Sequence, residues 1–178
     1  MVRYRRNYVQ GGSWFFTVAL HDRRSDLLTR HIDALRSAHQ RVRRDRPFRM
    51  EAIVVLPDHL HAIWTLPPGD ADYAGRWRAL KSGFVRALAG AGVAVARNHR
   101  GEAMVWQRRY WEHTIRDAED LGRHVDYIHY NPVRHGLVHR AIDWPYSSIH
   151  RYVAEGILPP DWAAGPNDEG MPETGEPC

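Results

Sequence analysis

Hydrophobic positions along the chain switch between two periods, and the switches mark out its elements. Trp14, Phe15, Phe16, Thr17 and Val18 form an aromatic and β-branched run that predicts a buried strand through Leu20. Leu28, Ile32, Leu35, His39 and Val42 then recur at helical spacing, with Asp26 or Ser25 placed to cap the helix. Beyond Pro47, the stretch Arg49 to Leu56 predicts a central strand, and a tight Pro57-Asp58 turn leads into a third strand, His59 to Leu66, which Pro67-Pro68-Gly69 ends. Trp77, Leu80, Phe84 and Leu88 make the apolar stripe of a second helix. A Gly- and Ala-rich loop from Ala89 to Glu102 separates it from a fourth strand, Val105 to Ile115. Asp117 caps a third helix over Ala118 to Tyr130, which Asn131-Pro132 is expected to end, and Trp144 to Val153 predicts a small C-terminal helix.

This order, βαβ followed by βαβ, predicts an α/β (α+β) sandwich of the ferredoxin-like or RRM-like kind: an antiparallel sheet with helices packed on it. Residues 1–162 are expected to form one domain, and 163–178, acidic and rich in Pro and Gly, a disordered tail. A length of 178 residues suits a single packed core. The lone cysteine, Cys178, rules out a disulfide scaffold and a Cys-based zinc site. The apolar stretch Trp14 to Leu20 follows Arg3, Arg5 and Arg6 as in a signal peptide, but it is too short and lacks a cleavage site. No run reaches the ~18 apolar residues of a membrane span, so a soluble cytoplasmic protein is expected.

Charge narrows the partners. Of the 25 basic residues only Lys81 is lysine, a bias that fits either nucleic-acid recognition or a GC-rich genome. Residues 161–178 hold five acids and no base, so the net charge of +4 becomes +9 for the rest of the chain, which points to a polyanion. Arg30, Arg36, Arg41, Arg43 and Arg44 on the first helix read as a solvated face.

Two constellations carry candidate chemistry. His59-Leu60-His61 lies on the third strand, where side chains alternate, so both imidazoles leave one face about 6–7 Å apart and can converge on a divalent ion. With twelve histidines in the chain, two satisfied or exposed rings are the competing reading. His124, Tyr127 and Asn131 share one face of the third helix. A tyrosine beside a metal-bound phosphate can attack phosphorus, with the Asn131 carboxamide as a further ligand. Otherwise Tyr127 packs and Asn131 merely ends the helix, and Pro132 biases Asn131 away from helical backbone.

The segment Tyr127-Ile128-His129-Tyr130-Asn131-Pro132-Val133-Arg134-His135-Gly136-Leu137-Val138 resembles the signature of the REP-associated tyrosine transposases, a branch of the single-tyrosine HUH transposases (IS200-like). Tyr4-Arg5-Arg6, Phe15-Phe16-Thr17, Leu56-Pro57-Asp58-His59-Leu60-His61, Tyr110-Trp111-Glu112-His113 and Asp143-Trp144-Pro145-Tyr146-Ser147-Ser148 extend the resemblance over residues 3–162. It implies that His59, His61 and Asn131 hold Mg²⁺ or Mn²⁺ and that Tyr127 is the nucleophile. It implies cleavage of single-stranded DNA at palindromic hairpins, leaving a 5′-phosphotyrosine and a free 3′-OH. Tyr4, Arg5 and Arg6 would reach the foot of the hairpin, and Arg78 and Lys81 its backbone. A tyrosine of ordinary pKa near ~10 is a poor nucleophile at neutral pH, so either the metal or a base must help, and His124 is the candidate base. Histidine ligands favour Mn²⁺ over Mg²⁺. The protein is expected to act as a monomer or homodimer. The alternative is a catalytically idle hairpin-binding protein. A two-histidine phosphoesterase lacks its paired H-x-T/S motifs, because Ala62 and Ile63 follow His61.

Overall fold

A computed structural model describes residues 7–163. The strands are β1 (Ser13–Ala19), β2 (Arg49–Val55), β3 (His59–Thr65) and β4 (Trp111–Thr114). The helices are α1 (Leu27–Arg30), α2 (Ile32–Asp45), α3 (Tyr73–Gly90), α4 (Ala118–Arg134) and α5 (Ile149–Ala154). The sheet runs β2-β3-β1-β4 with every neighbour antiparallel, the strand order of a ferredoxin-like sandwich.

Register sorts the side chains onto two cores. Phe16 lies opposite Ala62 and Trp14 opposite Trp64, and these residues with Val18 and Leu60 pack against α2 and α3, where Trp64 stacks on Trp77 at 4.1 Å. On the other face Phe15 lies opposite Ile63 and Thr17 opposite His61, and this side packs against α4. Because both faces are covered, β3 is buried nearly throughout instead of alternating, with Leu60, Ala62 and Trp64 serving one layer and His59, His61 and Ile63 the other.

Four elements differ from the sequence expectation. The first helix is broken at His31 (φ −117°, ψ 40°), because its opening turn is fastened by the Leu28 N–H to the Pro57 carbonyl at 3.1 Å. The fourth strand shrinks to Trp111–Thr114, while the backbone of its upstream part meets the end of β1 through the Gln107 N–H on the Ala19 carbonyl and a Leu20–Trp106 bridge just beyond it. α4 continues through Pro132 to Arg134. A proline so near the helix end forfeits one backbone bond, and the His135 and Leu137 N–H groups close the turn on Asn131 and Pro132 carbonyls. The last helix begins late because Tyr146 to Ser148 lie along the outer edge of β2: Val55 donates to the Tyr146 carbonyl and Ser148 to that of Ile53, both at 2.8 Å. The segment therefore covers an otherwise open edge. The expected tail of 163–178, apart from its first residue, and the Tyr4-Arg5-Arg6 arm lie outside the described residues. Among the described residues no helix is long and apolar enough to cross a membrane.

Candidate active site

β3 and α4 place the two constellations against each other. His59 and His61 are buried on the α4 face of the sheet with ring centroids 5.0 Å apart. Each Nδ1 is engaged by the protein: that of His61 lies 2.9 Å from Oγ1 of Thr17, its cross-strand neighbour, and that of His59 lies 2.7 Å from Oδ1 of Asp58. Such a partner fixes tautomer and ring orientation and makes Nε2 the nitrogen that could ligate a metal. Asp58 in turn pairs with Arg23 at 2.6 Å. Burial raises the Asp58 pKa, but the hydrogen bond with His59 and the Arg23 charge outweigh it and leave the carboxyl below its usual range. Burial lowers the His59 pKa despite Asp58, which keeps the imidazole neutral at neutral pH, as a metal ligand must be.

Tyr127 reaches this pair from α4. Its ring meets that of His61 at 5.2 Å and Phe15 at 5.9 Å, and the Arg134 guanidinium lies 5.6 Å from its centroid. Asn131 follows one turn later and is fully buried, with no hydrogen-bond partner for either carboxamide atom among the described residues. A buried amide left unanswered costs about 1–3 kcal/mol, so it calls for a reason. Two imidazoles with Nδ1 already engaged and an unanswered carboxamide make a donor set that fits a divalent cation with open coordination positions.

His124 lies on the same helix face, tilted against Phe15 at 4.8 Å and stacked on His113 at 4.6 Å. Its Nδ1 is 2.8 Å from the backbone carbonyl of Asp120, and burial lowers its pKa. Arg78 and Lys81 stand elsewhere, on α3 in the opposite layer. Lys81 donates to the Gln107 carbonyl at 3.1 Å and lies near the Trp106 and Tyr110 rings. An open groove of about 630 Å³ runs beside it, with Arg86, Arg108 and Trp106 in its walls.

Sequence reasoning missed several residues of the site. Thr17, Asp58 and Arg23 fix the histidines, and His135 brings a further ring 5.2 Å from His59, beside a cavity of about 260 Å³ that Arg23 and Asp58 also line. Asp58 was detectable as a carboxylate beside a candidate ligand, and His135 lies four residues beyond Asn131. Thr17 needed the strand register.

Comparison with known proteins follows the same lines. No protein-family model matches the chain. It is 50% identical over 168 residues, 94% of each chain, to a REP-associated tyrosine transposase of Escherichia coli (strain K12). It is 46% identical over 169 residues, 94% of this chain and 96% of the other, to a protein of Haemophilus influenzae described as a putative REP-associated tyrosine transposase. A solved structure of a REP-associated tyrosine transposase bound to a REP hairpin matches it with a TM-score of 0.82 at 48% identity, covering 98% of both chains.

Proposed function

Because the chain belongs to the REP-associated tyrosine transposases, a family of DNA-processing enzymes, we propose that it cuts and rejoins single-stranded DNA at palindromic hairpins through Tyr127. The observation that carries this reading is the contact of the Tyr127 ring with His61, which sets a nucleophile against a pair of preoriented imidazoles.

His59, His61 and Asn131 would hold a divalent cation, Mg²⁺ or Mn²⁺. Bound there, it would polarise a non-bridging phosphate oxygen and stabilise charge on the leaving oxygen. Tyr127 Oη attacks phosphorus, a bond to the tyrosyl oxygen forms, and the bond to the 3′-oxygen breaks. The phenol proton passes to a base and the leaving oxygen takes up one, which frees a 3′-OH. His124 is the base we assign, since the Asp120 carbonyl holds its Nδ1 and leaves Nε2 to receive the proton. The phosphotyrosine conserves the bond energy, so a second 3′-OH can reverse the step without an external energy source.

The solved relative binds a REP hairpin, and the cationic groove beside Lys81, with Arg78 on the same helix, offers this chain a path for a DNA backbone. Tyr4, Arg5 and Arg6 remain our assignment for the foot of the hairpin. The deciding experiment is incubation of a labelled hairpin oligonucleotide with Mn²⁺, Mg²⁺ or EDTA, run beside Tyr127→Phe. A metal-dependent covalent adduct that the variant loses, with hairpin binding retained, is the expected result. Tight binding without an adduct under any metal would leave the idle binding protein.

A further inference from the structure

α4 turns one stripe toward the sheet, in which Asp120, His124, Tyr127 and Asn131 follow at i, i+4, i+7 and i+11. The last three belong to the chemistry proposed above, while Asp120 enters it only through its backbone carbonyl, which holds His124 Nδ1. Its carboxylate is only 1% exposed. Oδ2 accepts from His113 Nε2 at 2.9 Å and from the Arg116 backbone N–H at 3.0 Å. Oδ1 accepts from Arg123 Nη2 at 3.3 Å and lies 3.3 Å from His124 Nδ1, and the Asp120 N–H is itself capped by Asp117 at 2.8 Å. His113 belongs to β4 and lies opposite Phe15 of β1, the strand that also pairs with β3.

A metal site is the first thought for His113, Asp120 and His124, whose donor atoms lie within 4.8 Å of one another. The bonding argues against it. Arg116 and Arg123 both approach the carboxylate, and His124 Nδ1 is turned to a backbone carbonyl. The negative charge is already answered, and a cation would have to displace guanidinium groups.

What the arrangement does supply is direction. An apolar contact lets a helix roll over a sheet, whereas a carboxylate bonded from both a strand and its own helix fixes the roll. A rotation of about 10° carries an atom at the side-chain radius of a helix about 1 Å. A displacement of that size at a reacting atom costs about 100-fold in rate.

We propose that Asp120, held by His113, is a positioning residue that sets the rotation of α4 and hence where the Tyr127 hydroxyl meets the His59–His61 pair. The proposal rests on Tyr127 as the nucleophile. Its test compares the intact protein with Asp120→Asn, His113→Phe and His113→Gln. Phe keeps the stack on His124 without a donor, while the Gln amide can place an N–H where Nε2 was. The readouts are adduct formation at saturating hairpin, hairpin affinity, thermal unfolding and Mn²⁺ titration. Asp120→Asn and His113→Phe are expected to slow adduct formation about 100-fold with hairpin and Mn²⁺ affinity unchanged, and His113→Gln to restore the rate. Adduct formation at the unaltered rate in Asp120→Asn would overturn the proposal. So would a rate, hairpin affinity and unfolding temperature that all fall together, or a Mn²⁺ site lost with Asp120. If the intact protein binds hairpin but forms no adduct, the functional reading fails by itself. The brace is then read from the ¹⁹F resonance of 3-fluorotyrosine at position 127, assigned with Tyr127→Phe. That resonance should move in Asp120→Asn and His113→Phe and return in His113→Gln; no movement would sink the brace too.

Discussion

Asn131 shows how a single side chain can report on chemistry. An amide buried with no hydrogen-bond partner among the described residues destabilises the fold, and a side chain kept for packing would be better apolar. Asn131→Leu is therefore expected to leave the metal-free protein as stable as before, or up to about 2 kcal/mol more stable, while Mn²⁺ affinity falls. Urea unfolding without metal and calorimetric titration with Mn²⁺ check the two halves. A large loss of stability would show the amide to be structural. That His59 and His61 share one face was legible from sequence, since alternate residues on a strand do so whatever the tertiary fold. The partner of His61 was not, because Thr17 meets it only through a pairing between positions 44 residues apart.

At the scale of elements, α4 joins the proposed nucleophile, Tyr127, to the C-terminal segment. His129 is fully buried on it, with Nε2 2.9 Å from Ser148 Oγ, and the same oxygen accepts the Ile53 N–H. Burial, with Arg151 and His150 nearby, pushes the His129 pKa down to about 3, and burial with the Arg43 charge takes His39 to about 4. Both values lie below the unfolded one, so the unfolded chain binds the protons first as acid is added. Stability is then complete above about pH 6.5 and is withdrawn between there and pH 4, by about 1.4 kcal/mol per pH unit for each histidine. Urea midpoints measured from pH 7 to 4.5 should fall along that slope, and His129→Gln should flatten it; an unchanged slope in the variant would assign the acid sensitivity elsewhere. The long elements were readable because each had one apolar period. β4 was overextended because Trp106, Tyr110 and Trp111 look alike as aromatic residues, yet only Trp111 lies in the ladder. Pro132 misled for a different reason: a local backbone preference was weighed against a helix already held by packing from Val125 and Ile128.

For the whole molecule, two layers divide the labour. The sheet and α4 hold the groups we propose to react, while α3 on the other side displays Lys81 and Arg86 along an open groove. A partner that touches both must wrap a sheet edge, and its affinity must be largely electrostatic, given the +9 carried outside the last eighteen residues. Hairpin affinity measured by fluorescence anisotropy should decline linearly in a plot of log K against log salt, with a slope of about −0.9 for each paired phosphate neutralised. EDTA should leave that slope unchanged while it stops adduct formation. Affinity insensitive to salt would remove the groove from the binding surface.

The strip of chain along β2 has a consequence beyond the active site. With Tyr146 to Ser148 occupying that margin, the described sheet leaves β4 as its other margin, four residues long and flanked by irregular backbone. At high local density, long open strands would template fibrils between neighbouring copies. Such growth needs two free margins on every molecule, and here one is already closed by the chain itself.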